Sequence, residues 1–357
     1  MTTVSTPPTP NPTITPVQAV PVPQPAMRLR EIVFGAARAA AVRAAARLGV
    51  ADALGETPAT AAELAAVVKT EPVPLQRLLR ALTCYGIFTE TADGAFAHTD
   101  MSRLLRENDP NSLRYISLWC TEPWTWDVWP RLDDAVRTGR NVFEDVHGKE
   151  FFDYLHQDAH ESAQVFNRAM TTSSMQSAQD VAALLDLTGV SVVADIGGGQ
   201  GHVLASLLEK HPSLSGTLMD LPGVVARADE RLRDGGPLAD RADIVAGDCR
   251  EGIPVAADLY IIKNILEWDD DSTRRALRSV VAAARPGARV VVIENLVDDT
   301  PSMRFTTAMD LLLLLNVGGA KHTRQSLVDR LSEAGLLIGE VRPVNPYLHA
   351  FECVIPG

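Results

Sequence analysis

Downstream of Leu185 the chain alternates short apolar, β-branched runs with amphipathic stretches, the pattern of parallel strands buried on both faces and joined by helices. Strands are predicted at 192–195, 216–220, 242–246, 259–263, 289–294, 337–341 and 351–355, with helices at 202–210, 272–284 and 324–334. Such alternation describes an α/β fold with a doubly wound, Rossmann-like sheet, whose ligands sit beyond the carboxyl ends of the strands. Gly197, Asp220, Asp248, Lys263 and Glu294 fall at those ends.

Upstream the pattern is helical. Residues 28–48 are alanine-rich and apolar over most of the helix surface, which predicts one helix buried against more than one neighbour, a partner chain being the natural candidate. The segment 57–60 caps a helix at 61–68, a second helix follows at 73–86, and a ribbon at 87–99 turns at Asp93-Gly94. Two helices and a hairpin make a mostly helical winged-helix unit at 27–110, suited to dimerisation and to covering a site.

Residues 111–180 read as a helical connector with a heavy aromatic load. It holds Trp119, Trp124, Trp126 and Trp129, four of the five tryptophans, then Phe143, Phe151, Phe152, Tyr154 and Phe166. Aromatics at helical spacing fill cores, and a cluster this dense also suits a pocket for a flat ligand. Phe166 and Met170, in FNRAM, come just before the sheet domain at 181–357. Residues 1–26 are rich in Pro and Thr and read as a disordered tail, with neither the regions of a signal peptide nor the length of a membrane span.

The formal net charge of −12 over 357 residues, with no basic cluster, speaks against nucleic acid as a partner. The helix that would read DNA in a winged-helix regulator offers only Arg77 and Arg80. Four scattered cysteines, Cys84, Cys120, Cys249 and Cys353, read as reduced thiols of a cytoplasmic protein, and no cluster has the spacing of a metal site.

The chemistry begins at 191–207, SVVADIGGGQGHVLASL. A strand ends near Asp195, a turn of Gly197, Gly198, Gly199 and Gly201 follows, and a helix opens at His202, so the backbone can approach a nucleotide-like ligand. Asp220 closes the next strand, where a carboxylate can accept hydrogen bonds from both hydroxyls of a ribose. The acid-x-G-G-G-x-G spacing departs from the dinucleotide fingerprint and resembles the first motif of class I S-adenosylmethionine-dependent methyltransferases, in which a methionyl group, not a pyrophosphate, faces the turn.

In order along the chain, LQRLLRALTCYGIF, FNRAM, DIGGGQG, MDLPGVV, GDCREGIP, YIIKNILEWDDD, VVVIENLVDD, MDLLLLLNVGGAKHT and LSEAGL resemble the small-molecule O-methyltransferase family of plant caffeate-type and bacterial antibiotic-tailoring enzymes. PWTWDVWPRLDDAVRTG is most similar to its mitomycin- and anthracycline-type members, and the resemblance spans residues 27–357. It implies a homodimer, S-adenosyl-L-methionine as methyl donor and a small aromatic, polyketide-type acceptor. It assigns Gly197 and Gly199 to the methionyl part, Asp220 to the ribose, Asp248 and Cys249 to the adenine, and Lys263 to the wall of the cofactor site. Phe166, Met170, Trp268 and Asn316 are its acceptor-contacting candidates.

The sequence departs from the family pattern where a base is expected. Base-using members read like K-H-V-L-H-D-W, the second His taking the acceptor's proton, whereas here Lys263-Asn264-Ile265-Leu266-Glu267-Trp268 is one residue shorter and lacks it. Either Glu267 replaces the His or the gap removes it; a helix-opening acid favoured by the dipole is the structural alternative. In Gly318-Gly319-Ala320-Lys321-His322-Thr323, Lys321 stands where the family's G-G-K-E-R-T has Glu. Glu267 and Glu294 are thus the catalytic candidates, with His202 and His322 more economically read as packing residues.

A reaction without the His suits an acceptor that ionises easily, such as an acidic phenol, or an uncharged amine with a free lone pair. Oxygen is the favoured acceptor, nitrogen second and ring carbon third. A non-methylating enzyme on the same scaffold is the alternative from another class.

Overall fold

The computed structural model describes residues 23–298 and 300–357, so the expected tail lies outside the described residues up to position 22. Its last residues are already ordered, because the first helix is Gln24–Val33, with Pro25 in the opening turn where a missing amide costs nothing. A second helix, Gly35–Leu48, follows after a break at Phe34 (φ −82°, ψ 13°). The single helix expected over 28–48 is interrupted there: glycine weakens a helix by about 1 kcal/mol, and no neighbour packs on Gly35 to compensate. Leu29, Ile32, Val33 and Phe34 remain 62–71% exposed. The apolar surface is as expected, but the described residues of this chain do not cover it.

Thr60 caps the helix Ala61–Val68 in a reciprocal box with Glu63. The helix Pro72–Cys84 then buries Leu75, Leu79 and Leu82 against Leu64, Phe88 and Phe96. Strands β1 (Phe88–Glu90) and β2 (Phe96–His98) pair antiparallel through a turn at Asp93-Gly94, completing the winged-helix unit. Arg80 is spent on Glu90 of that ribbon, at 3.3 Å.

In the connector Trp124 is 1% exposed and stands edge-on to Phe151 (4.9 Å) and Phe143 (6.0 Å). That tryptophan is core, not the wall of a pocket. The helix His160–Leu184 packs Ala163 and Ala169 on this aromatic cluster and Ala178, Val181 and Ala182 on the sheet. One helix thus belongs to both layers, and the boundary expected between 180 and 181 falls inside it; likewise the boundary between 26 and 27 falls inside the first helix.

The sheet contains β3 (Val192–Ile196), β4 (Ser215–Asp220), β5 (Ala242–Ala246), β6 (Leu259–Lys263), β7 (Arg289–Asn295), β8 (Leu337–Pro343) and β9 (Leu348–Val354) in the order β5-β4-β3-β6-β7-β9-β8. Strands β3 to β7 are parallel, and β9 runs antiparallel between β7 and β8. Alternate residues face opposite layers. Val193 and Ile261 join Leu204, Leu207 and Leu218 on one side; Ala194 and Ile262 join Tyr260, Leu277 and Leu331 on the other. Each fully buried Leu or Ile contributes on the order of 1.5–3 kcal/mol. The strand order reverses between β3 and β6, which opens a crevice at their carboxyl ends.

Candidate active site

The glycine turn leaves β3 into that crevice. Gly197 (φ +64°) donates its amide to Met219 O at 2.8 Å, and a Cβ there would sit 2.6 Å from Ile265 Cδ1. Gly199 (φ +64°) donates to Asp220 Oδ2 at 2.8 Å, and a Cβ on it would point into open space. Asp220 Oδ1 accepts from the Leu221 amide at 2.7 Å. Burial raises the Asp220 pKa against these two amides, and the neighbouring Asp248 charge adds to the rise. Under the turn, Asp195 is buried without a well-formed hydrogen bond on either oxygen. Burial pushes it up to about 7, although the Lys263 charge and the Leu204 amide favour its ionised form.

Asp248 and Cys249 follow β5. Arg250 grips Asp248 with Nε at 3.0 Å and Nη2 at 2.7 Å, and this guanidinium holds the carboxyl below its usual range. Burial lifts the Cys249 thiol to about 11, so it is a neutral, apolar wall. The Arg250 guanidinium lies 5.5 Å from the Trp268 ring centroid.

A second group of charges gathers at the ends of β6 and β7. Lys263 is partly buried; desolvation lowers its pKa, while the charges of Asp195, Glu294 and Glu267 oppose the fall. Asn264, left-handed at φ 54°, donates its amide to Ile293 O at 3.0 Å and keeps a buried, unpartnered Oδ1. Glu294 is 1% exposed; Oε1 accepts from the Leu266 amide at 3.0 Å, and Oε2 is buried without a partner. Burial, reinforced by Glu267, raises its pKa to about 8, which favours the neutral form over the carboxylate.

Glu267 is ion-paired with Lys321, and neither side chain is more than 15% exposed. His322 donates from Nε2 to Leu266 O at 2.6 Å, and burial lowers its pKa against that bond. Ala320 N adds a bond to Glu267 O at 3.1 Å. The turn that replaces the His-bearing motif is thereby held from three sides.

Phe166 stands edge-on to Trp119 (5.8 Å) and Phe151 (6.1 Å), and Met170 packs in the same aromatic cluster. Asn316, 7% exposed, lies in the helix Met303–Val317 with a buried, unpartnered Oδ1. These three belong to the connector layer. Trp268 does not join them, because it packs on the opposite core beside Arg250. Sequence reasoning passed over Arg250 and Asn264, for which it had no signal, and noted Lys321 only as a departure; the Glu-to-Lys change at that position was the available clue.

Residues 129–337 match the family model of the O-methyltransferase domain, and residues 30–108 match that of the O-methyltransferase dimerisation domain. The chain belongs to the O-methyltransferase family. It is 38% identical to the mitomycin biosynthesis 6-O-methyltransferase of Streptomyces lavendulae, over 88% of this chain and 90% of that one. The structure of CalO1, a methyltransferase in calicheamicin biosynthesis, in its SAH-bound form, superposes with a TM-score of 0.83 at 33% identity, covering 94% of this chain and 98% of that one. Likeness also extends to the aclacinomycin 10-hydroxylase of Streptomyces purpurascens, 33% identical over 85% of this chain and 82% of that one.

The protein is therefore a class I methyltransferase, and the family's methyl donor is S-adenosyl-L-methionine. The residues present fit that donor: a glycine turn with room above Gly199, the Asp220 carboxylate at the end of β4, and the buried Asp195 carboxyl with unspent acceptors. Among the described residues no helix is long and apolar enough to cross a membrane.

Proposed function

We propose that this enzyme methylates a phenolic oxygen of a small aromatic metabolite, of the antibiotic-precursor kind its relatives modify, and that it does so without a general base. The observation that carries the reading is the Glu267–Lys321 ion pair, beside a Glu294 whose pKa burial raises. Glu267 occupies the position expected for the base, but its carboxylate is engaged by Lys321.

When bound, the sulfonium supplies a methyl group already activated toward displacement. The chain's task is to hold the two reactants. Asp220 receives the ribose hydroxyls while fixing the Gly199 amide, Asp248 and Cys249 border the adenine, Gly197 and Gly199 face the methionyl part, and Lys263 lines the site below it. Phe166 and Met170 face the acceptor from the connector and Asn316 from the helix Met303–Val317, while Trp268 belongs to the cofactor side. Glu294 acts through the Leu266 amide, keeping the Ile265–Glu267 turn in place. Positioning of this kind supplies roughly 7–11 kcal/mol at best, whereas a base adds about 10²–10⁴-fold. An acceptor with an acidic phenol forgoes the smaller of the two.

An uncharged aryl amine meets the same condition and is the second reading. The working form is a homodimer, supported by the dimerisation-domain match and by the exposed Leu29, Ile32, Val33 and Phe34, and we place it in the cytoplasm, where the donor is made. Release of S-adenosylhomocysteine on mixing with S-adenosylmethionine and phenols of graded acidity tests the reading. Turnover is expected to favour acidic phenols; turnover confined to alkyl alcohols would refute it.

A further inference from the structure

Lys321 has a donor to spare. Its side chain is 6% exposed, its Nζ pairs with Glu267 Oε1 and lies 3.4 Å from Asn295 Oδ1, and its main-chain amide is held by Asp310 Oδ1 at 2.7 Å. An ammonium carries three N–H donors, so among the described residues one direction is unfilled in a site largely removed from water.

The groups facing it do not supply an anion for that direction. Burial raises the pKa of Glu294 on β7 and so disfavours its carboxylate. Lys263 on β6 is a second basic group near the pair; desolvation lowers its pKa, and the charge of Asp195, under the glycine turn, opposes the fall. From the helix Arg324–Glu333, Arg330 acts on the ring of His322. Among the described residues Glu267 is the one carboxylate on Lys321 Nζ, because Asp310 is spent on the main-chain amide. Relative to the family pattern the polarity is reversed, with a carboxylate where an imidazole is expected and an ammonium where a carboxylate is expected.

We propose that Lys321 makes this enzyme select its acceptor as the anion, binding a phenolate oxygen beside Nζ. The proposal rests on the reading of the site as acting on phenols. The phenol's proton leaves to solvent as the acceptor binds, so no side chain has to take it. A cation within a few ångströms in such surroundings lowers a phenol's pKa by about 1–3, which is the work that the absent base would otherwise do. Lys321 is in this account a specificity-determining residue.

The test uses the intact dimer saturated with S-adenosylhomocysteine, so that no transfer occurs, and a nitro-substituted naphthol whose phenolate absorbs at longer wavelength than the phenol. Titration of the bound probe should give an ionisation constant at least about tenfold above that in water. Lys321→Gln should lose that gain, and Lys321→Arg should keep most of it. A bound probe that ionises as in water, or equally in wild type and Lys321→Gln, overturns the proposal. Should Lys321→Gln fail to fold, the wild-type shift and its retention in Lys321→Arg still decide. Labelled-methyl transfer to the same naphthol is followed in parallel. Transfer with an unshifted probe defeats the role of Lys321 alone, and a shifted probe without transfer defeats the phenol-methylating reading alone.

Discussion

The Leu266 amide donates a 3.0 Å hydrogen bond to Glu294 Oε1, tying the turn after β6 to the carboxyl end of β7. Because burial raises the pKa of this acid and favours its neutral form, its role is to accept one bond, which an amide oxygen can also do. Glu294→Gln should retain kcat within about threefold, while Glu294→Ala, which leaves a buried amide unpaired at about 1–3 kcal/mol, should lower it by about tenfold or more. Steady-state kinetics at pH 7 compares the two. A Gln variant as impaired as the Ala variant would mean that Glu294 takes a proton during turnover.

Asp220 serves three partners at once, the Gly199 amide at 2.8 Å, the Leu221 amide at 2.7 Å and the proposed ribose. Asp220→Ala removes charge-assisted bonds worth about 1.5–3 kcal/mol each and loosens the turn. Calorimetric affinity for S-adenosylhomocysteine should fall by about tenfold to a hundredfold, with the fold retained by circular dichroism. Unchanged affinity would remove Asp220 from the cofactor site.

Behind the turn, Asp229 joins His202 Nδ1 (2.9 Å) to Arg231, and its amide donates to Gln200 O at 2.8 Å. Burial alone would raise the Asp229 pKa, but hydrogen bonds from Arg231 and His202 outweigh it and hold the carboxyl far below 3.8. A carboxylate depressed in the fold stabilises it above the unfolded pKa, and that stability is lost as pH falls through the folded value. Arg231→Ala should therefore cost about 1–3 kcal/mol at pH 7, with the gap to wild type narrowing below about pH 4. Denaturant melts across pH measure it; a gap constant with pH would contradict the assignment.

How far the sequence reveals this arrangement depends on the range over which each feature is decided. β5 and β6 lie where the short apolar runs put them, and β3, β4 and β7 differ only at their ends; in β3, β4, β6 and β7 buried apolar residues carry a local signal, while β5, an edge strand with no fully buried residue, is marked by Ile244 and Val245. The break at Phe34 is hidden by an alanine-rich pattern that continues through it. β9 begins three residues before the expected 351, because its partners β7 and β8 are remote in sequence. The glycine turn and Asp220 are legible from spacing. By contrast the pairing of Glu267 with Lys321, 54 residues apart, and the placement of Trp268 beside Arg250 depend on how loops fold over the sheet, to which periodicity is blind.

The exposed apolar face of the first helix bears on assembly. Ile32→Asp with Phe34→Asp places two charges where a partner's apolar surface is proposed to lie. Light scattering should show wild type as a dimer and the double variant shifted toward monomer. Dimers persisting unchanged would move the interface elsewhere.

The central claim is methyl transfer from S-adenosylmethionine to an aromatic oxygen. Its most direct test is mass spectrometry of wild type and Asp220→Ala incubated with methyl-labelled donor and a panel of aromatic phenols and anilines. The account predicts one labelled methyl on a phenolic oxygen, located by fragmentation, formed by wild type and lost or strongly reduced in the variant. Donor that binds while no acceptor gains label and no S-adenosylhomocysteine forms would contradict it, and would align this chain with the hydroxylase among its relatives.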